Sequence, residues 1–302
     1  MRIDAMMILV TSLSPPGSRP TAVVSGERRS DLLADEAPLE LRVQEADGPP
    51  RAVAVLMRTR LIGEGDGGDD GDSDLDLAAG FLVTEGVITD VSDVDRLAAC
   101  DVVESPDAEG NVVIAKLKAG VVVDWARLVR HTYASSSCGV CGKATIEAVC
   151  ARVTAPVPQA PALTVPVVQA LVAALAAQQP LFAATGAVHG AALAHVDGNG
   201  RIDVVAVRED VGRHCAVDKV IGAALRAGQT PRGLVLVVSG RVAFEIVQKA
   251  VSVGLSAIVA IGAPTSLATD LAREAGVTVV GFVRGERATW YAGAPKTASV
   301  PG

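Results

Sequence analysis

The chain has 302 residues, half of them apolar, yet only 3% are aromatic and the formal net charge is −7. That length supplies a sizeable core, while the scarcity of aromatic rings removes a stacking platform for single-stranded nucleic acid. Seven acids (Glu64, Asp66, Asp69, Asp70, Asp72, Asp74 and Asp76) fall between Ile62 and Asp76 with no base among them. Setting those seven aside from the 34 acids leaves 27 against 27 bases, so the rest of the chain is neutral and offers duplex nucleic acid no basic face. No run reaches the ~18 apolar residues of a membrane helix, and Met6 to Val10 is too short for a signal-peptide core. Five cysteines are an odd number without an export signal, which argues against a disulfide framework. The expectation is a cytoplasmic chain with reduced thiols, bound to neither membrane nor nucleic acid.

Residues 1–25 read as a disordered tail. Residues 26–130 read as a small α+β domain. In it, Leu39 to Val43 and Ala52 to Met57 form a hairpin around Asp47-Gly48-Pro49-Pro50. The acidic stretch 62–76 reads as a solvated loop. Its alternating Asp70, Asp72 and Asp74 invite comparison with a calcium loop, but Leu75 stands where that loop needs Gly and Phe81 where it needs Glu. Leu75 to Thr84 reads as a short buried helix, and Asp93 to Ala99, Asn111 to Leu117 and Val121 to Trp125 as strands. Residues 131–298 hold a cysteine loop and an α/β domain. Ala144 to Val153 is helical, Ala155 to Pro166 a Pro-rich linker, and Thr164 the cap of a helix with Val168, Leu171, Val172 and Leu175 on one face. Ala187 to Val196 and Ile202 to Val207 flank the hairpin turn Asp197-Gly198-Asn199-Gly200.

Strands and helices then alternate: helix 216–227, strand 234–238, helix 243–253, strand 257–261, helix 266–275, strand 277–282 and a short strand 288–292. Continuous apolar strands imply a largely parallel sheet covered on both faces. Ligands on such sheets lie beyond the carboxyl ends of the strands. Those ends are Ser239-Gly240-Arg241, Gly262-Ala263-Pro264 and Val283-Arg284-Gly285-Glu286-Arg287.

Chemistry concentrates in Ser135-Ser136-Ser137-Cys138-Gly139-Val140-Cys141-Gly142-Lys143. Two thiols three positions apart, in a polar glycine-flanked stretch before a helix, are displayed rather than packed, and a helix N-terminus favours the thiolate. Three readings remain open on spacing. A zinc site would need distant partners such as His189 and His195. A thioredoxin-like exchange would want the pair after the first strand of a βαβ unit. A persulfide carrier fits a glycine-flanked loop. Cys150 reads as a core residue of the following helix. Zinc deaminase chemistry is excluded, because His189 precedes Gly190-Ala191 rather than x-Glu and the cysteine pair lies upstream without Pro. The stretch Arg208 to Lys219 packs Arg208, Glu209, Asp210, Arg213, His214, Asp218 and Lys219 between a strand and an otherwise apolar helix. With Arg241, Arg284 and Arg287 it suggests a phosphate cradle at the sheet ends.

With these residues assembled, the sequence resembles the FdhD/NarQ family of formate dehydrogenase accessory sulfurtransferases. The resemblance runs in order over residues 26 to 295, through Met57-Arg58-Thr59, Ala79-Gly80-Phe81, Thr84-Glu85-Gly86 and Ser136 to Gly142. It continues through Thr185-Gly186 with His189, Asp210 to His214 with Ala216 to Lys219, Ser239-Gly240-Arg241, Gly281-Phe282 and Arg287-Ala288. It implies an α/β fold whose C-terminal domain is cytidine-deaminase-like, beside a smaller α+β N-terminal domain. It also implies a homodimeric cytoplasmic sulfurtransferase that takes sulfur from a cysteine desulfurase and delivers it to the molybdenum (or tungsten) bis-pterin guanine dinucleotide cofactor of formate dehydrogenase. Cys138 would carry the persulfide with Cys141 as partner. Phe282, Val283, Arg284, Gly285, Glu286 and Arg287 would bind the cofactor, and no metal site or permanent cofactor is implied. The alternative is a non-catalytic chaperone for that cofactor with a structural cysteine pair; a thiol-disulfide oxidoreductase is the third reading. Two departures stand out: Cys215 occupies the position where the family usually has Asn, and the acidic stretch 62–76 is an insertion expected to touch only the surface.

Overall fold

The computed structural model describes residues 2–6, 28–59, 70–100, 109–125, 128, 146–147, 149–151 and 155–294. Among them, β1 (Arg2–Met6) pairs antiparallel with β2 (Arg28–Leu32), so part of the expected tail is a strand.

The first large sheet contains β3 (Glu36–Gln44), β4 (Arg51–Thr59), β5 (Val94–Ala99) and β6 (Val112–Leu117), in the order β4-β3-β6-β5. β3 alternates buried Leu39, Leu41 and Val43 with partly exposed Glu40 and Arg42, the period of two that gives a strand one wet and one dry face. The dry face packs against α1 (Asp70–Thr84) through Leu77, Ala78 and Leu82. The helix therefore begins inside the acidic stretch rather than at Leu75. Its carboxylates are not simply solvated: Asp74 pairs with the buried Arg58, and Asp76 is 2% exposed between Arg208 and Arg226. The expected strand over Val121 to Trp125 is absent; Val121–Asp124 is irregular and Trp125 has helical backbone.

The second sheet has the order β12-β11-β10-β9-β7-β8. It is built from β7 (His189–Val196), β8 (Ile202–Asp210), β9 (Val235–Val238), β10 (Ala257–Ala260), β11 (Thr278–Arg284) and β12 (Arg287–Ala292). Only β9, β10 and β11 run parallel; β7, β8 and β12 are joined by antiparallel pairing, so the sheet is mixed rather than largely parallel. The hairpin β7–β8 turns through Asp197 to Gly200, and β8 runs three residues past Val207 into the charged stretch.

Both faces are covered. Val235 and Val237 point to α2 (Val165–Ala176), which contributes Val168, Leu171 and Leu175. Leu236 and Val238 point to the opposite layer of α4 (Arg213–Arg226), α5 (Phe244–Ser252) and α6 (Ser266–Ala275). Between α2 and β7 in the chain comes α3 (Pro180–Thr185), a single short helix that propensity did not announce. α4 is buried on two sides, against the second sheet and against α1, and so joins the two halves of the fold.

Candidate functional site at the strand ends

The carboxyl ends of β9, β10 and β11 meet at three glycines. A Cβ on Gly262 would lie 2.5 Å from the Gly240 carbonyl oxygen, and one on Gly281 3.0 Å from the Gly262 carbonyl oxygen. Only glycine permits strand ends to close to this distance, and backbone packs directly on backbone there. Beyond it, Val242 and Pro264 form a further parallel bridge. Phe282, whose amide donates to the Gly262 carbonyl at 3.1 Å, is held at φ 51°, a left-handed conformation costly for a bulky side chain. Its ring remains 44% exposed and meets Tyr291 at a 6.5 Å centroid distance. The pairing of β11 with β12 is irregular between Gly281 and Arg284, and Gly285 turns the chain at φ 51°. The Gly285 carbonyl accepts a hydrogen bond from Gln169 of α2. Of the six residues 282–287, Phe282, Arg284, Gly285, Glu286 and Arg287 are exposed, whereas Val283 is buried beneath α2.

Arg241 is exposed at the end of β9, and Arg213 opens α4 beside it, bonded to Glu245 of α5 at 2.5 Å. Neither α4 nor α5 has a side-chain cap at its N-terminus, which leaves backbone donors on this side of the sheet. The His189 ring lies against the Gly240 backbone. Burial, then the Arg213 and Arg241 guanidiniums, hold His189 below its ordinary 6.5, with Asp210 opposing. His189 and Ser239 also line a cavity of about 490 Å³ together with Gln179, Phe182, Val188 and Ile261, within the size range of small-molecule sites. The wall formed by α3 is held by Glu209, which is 8% exposed and accepts from the Leu181 and Phe182 amides, both at 2.9 Å. Gln179 Nε2 is buried in that wall without a hydrogen-bond partner. Glu209 belonged to the charged stretch read as a cradle, whereas Glu245 did not stand out in the sequence; a Glu four residues after Arg241, on a helix that opens at a strand end, was the available signal.

Most of the charged stretch 208–219 is committed elsewhere, which corrects its reading as a phosphate cradle. Asp210, fully buried, pairs with Lys219 at 2.7 Å and accepts from the Thr59 amide at 3.2 Å and the Gly212 amide at 2.8 Å, while Val211 N donates to Thr59 Oγ1 at 2.9 Å. Asp218 pairs with Lys249 of α5 at 2.9 Å and accepts from Thr84 at 2.7 Å; Lys249 also reaches Glu85. Such charges are tolerated inside only because each finds a partner. They fasten the turn that presents Arg213 to β4 and α1. What remains for a ligand is Arg213, Arg241, Arg284 and Arg287 at the strand ends.

Cys138 and Cys141 lie outside the described residues. Cys215, 1% exposed among Leu39, Leu41, Leu77 and Val113, donates its thiol to the Met57 carbonyl at 3.5 Å, and burial pushes the thiol far above its usual range. It is a packing residue. Cys150 is half-buried against the second core, its thiol also raised by burial and then by Glu274. Among the described residues no group of three or more His, Cys, Asp or Glu is arranged to hold a metal, and no helix is long and apolar enough to cross a membrane.

The FdhD/NarQ family profile matches residues 69–298. A relative from Streptomyces coelicolor, named sulfur carrier protein FdhD, is 44% identical over 279 residues, covering 89% of this chain and 90% of its own. Proteins of the same name from Nocardia farcinica and Mycobacterium bovis are 43% and 41% identical; the alignments span 90% and 87% of this chain and 90% of each relative. A solved structure from Desulfotalea psychrophila, assigned as a formate dehydrogenase accessory protein, superposes with a TM-score of 0.63 at 21% identity, over 97% of this chain and 96% of its own. That likeness establishes the shared fold. On the family match and the identities together, the chain belongs to the FdhD/NarQ family.

Proposed function

We propose that the protein is a sulfur carrier that takes sulfur from a cysteine desulfurase on Cys138 and delivers it to the molybdenum bis-pterin guanine dinucleotide cofactor destined for a formate dehydrogenase. Its relatives' name supports sulfur carrying. The observation that carries the delivery half of this reading is the set of exposed arginines at the strand ends, Arg241, Arg284 and Arg287, beside the exposed Phe282, beyond the close backbone packing at Gly262. Backbone donors and guanidiniums suit pyrophosphate, and an exposed ring suits a planar base. The cofactor here is substrate, and Arg284 and Arg287 with Arg241 and Arg213 would hold its anionic arms, with the Phe282 ring beside them.

In the loading step the Cys138 thiolate attacks the outer sulfur of the desulfurase persulfide. That S–S bond breaks, the desulfurase cysteine leaves as a thiolate, and the new S–S bond stands on Cys138. For delivery, the Cys141 thiolate attacks Cys138 Sγ, hydrosulfide leaves with the electron pair, and a Cys138–Cys141 disulfide remains for a dithiol reductant to reset. The hydrosulfide is then the ligand handed to the metal. A cytoplasmic homodimer is part of the same proposal.

Intact mass after incubation with a desulfurase and cysteine tests it. The expected result is a gain of one sulfur atom that is lost in Cys138→Ala and kept in Cys215→Ala. No adduct, together with stoichiometric zinc, would assign the cysteine pair a structural role instead. A Cys141→Ala protein that sustains repeated turnover would remove Cys141 from the delivery step.

A further inference from the structure

Glu245 is the acidic residue in the first turn of α5, and it holds Arg213, the first residue of α4. Both helices open toward the strand ends, and charge gathers where they do. A Cβ on Gly240, just past the end of β9, would lie 3.6 Å from Arg213 Cβ and 3.4 Å from His189 Nδ1, so Arg213 stands directly against the strand end. Arg241 follows Gly240, and three residues later α5 begins at Phe244 with no side-chain cap. α4 is uncapped as well. Two helix N-termini and two guanidiniums are the features that attract a phosphate.

Glu245 competes for those features. Its carboxylate oxygen lies 2.5 Å from a terminal nitrogen of Arg213, and its place in the first turn puts it at the positive end of the α5 dipole. Asp210, the carboxylate nearest to Arg213 in sequence, is committed to Lys219. The Arg213–Glu245 pairing is also incomplete. Arg213 Nε is buried with no acceptor, so part of the guanidinium fork is met and part is not. The two side chains are 31% and 37% exposed, and a pair so open to solvent adds little to stability. What it does decide is whether Arg213 is free to bind anything else.

We propose that Glu245 sets the affinity of the strand-end site: it is a resident anion that a ligand's diphosphate displaces from Arg213 and that returns when the ligand leaves. This rests on the reading that the strand-end arginines hold the ligand's phosphates. The turn beneath Arg213 is fixed by the buried Asp210–Lys219 pair, so the half-exposed Glu245 is the side chain that moves. The arrangement suits a protein that passes its ligand on. A guanidinium stripped of its phosphate loses hydrogen bonds, and a carboxylate waiting beside it replaces them. Release is therefore faster, and binding weaker, than the arginines alone would give.

The test compares the full-length parent with Glu245→Gln, Arg213→Gln and the double variant, each first checked by thermal melting. Glu245→Ala stands in if Glu245→Gln melts early. Binding of pyrophosphate and of guanosine diphosphate is measured by calorimetry. Glu245→Gln should bind both about fivefold more tightly than the parent, with slower dissociation of a fluorescent guanosine diphosphate. Arg213→Gln should weaken both, and adding Glu245→Gln to it should change binding by less than about twofold, because the carboxylate acts through Arg213. Unchanged or weaker pyrophosphate binding in a folded Glu245 variant overturns the proposal. Weaker binding of the nucleotide alone would make Glu245 a contact to the base and overturns it too. Equal binding by the parent and Arg213→Gln removes Arg213 from the ligand site and the proposal with it. No binding by the parent or by any Glu245 variant overturns the phosphate reading of the strand ends, whereas a parent that binds and a Glu245 variant that binds no tighter fail the Glu245 proposal alone.

Discussion

Gly80 of α1 and Gly222 of α4 face each other where the two helices cross, so closely that a Cβ on Gly222 would lie 2.8 Å from the Gly80 nitrogen. Each glycine also receives a carbonyl of the opposite helix, Asp218 onto Gly80 and Asp76 onto Gly222, with no space for a methyl group. Because the obstacle is backbone, a neighbouring side chain cannot rotate away. Gly80→Ala or Gly222→Ala should each destabilise the protein by about 3 kcal/mol, read from urea unfolding of the full chain. A loss of only a few tenths would mean that the helices separate freely.

Lys249 is the cation on which Asp218 and Glu85 both depend. Lys249→Met should cost ~3–5 kcal/mol because it leaves a buried carboxylate unpaired, and Asp218→Asn added to it should recover part of that loss. Burial, opposed chiefly by Lys249, pushes the Asp218 carboxyl up to about 6 from an ordinary 3.8. A carboxyl that binds its proton more tightly when folded contributes stability that is full below 3.8 and lost as pH rises through about 6. Lys249→Met should therefore gain stability on acidification through this window relative to the double variant, in which the group no longer titrates. Parallel pH profiles would refute the assignment.

Burial, then Arg213 and Arg241, hold His189 below its ordinary 6.5. Arg241→Gln should raise its titration toward 6.5, followed by the imidazole proton resonances, because one of the two guanidiniums opposing its charge is gone. In the parent, the depressed value means that His189 contributes stability above 6.5 that is lost as pH falls through the folded value. An unmoved resonance in Arg241→Gln would remove Arg241 from the site around His189.

Phe282 carries strain that glycine would relieve. Phe282→Gly should raise stability by about 1 kcal/mol and at the same time weaken binding of a guanine nucleotide measured by calorimetry. If the variant binds as tightly as the parent, the exposed ring is no part of the ligand surface.

Cys215 should escape alkylation. With its thiol buried and held protonated, native protein treated with iodoacetamide should keep Cys215 unmodified in peptide mass spectra, and denatured protein should label it.

The second sheet was largely readable because its strands advertise themselves. Val235–Val238 and Ala257–Ala260 are unbroken apolar runs, each followed by a glycine within two residues and then by a helix. What sequence periodicity does not carry is pairing direction, so the sheet read as largely parallel although β7 lies antiparallel to β9 and β12 antiparallel to β11. The start of α1 was hidden for a different reason. Asp72, Asp74 and Asp76 look like a solvated acidic run until Arg58, Arg208 and Arg226 are brought beside them, and those partners lie as far as 154 residues away. The same long-range pairing withdrew Asp210, Asp218 and Lys219 from the ligand surface, leaving the strand-end glycines and arginines as the part of the site that local sequence had placed.

The seam between α1 and α4 is closed by opposite charges at fixed positions as well as by apolar contact. An oily seam tolerates sliding, since one leucine is much like the next. Here a displacement by a single helical turn would part Arg226 of α4 from Asp72 and Asp76 of α1 and would drive the glycines off the crossing point. The join between the halves therefore has one register, and intermediate alignments are penalised at several places at once. The turn carrying Arg213 inherits that rigidity, so the arginine side of the strand-end surface keeps its shape whether or not a ligand is present.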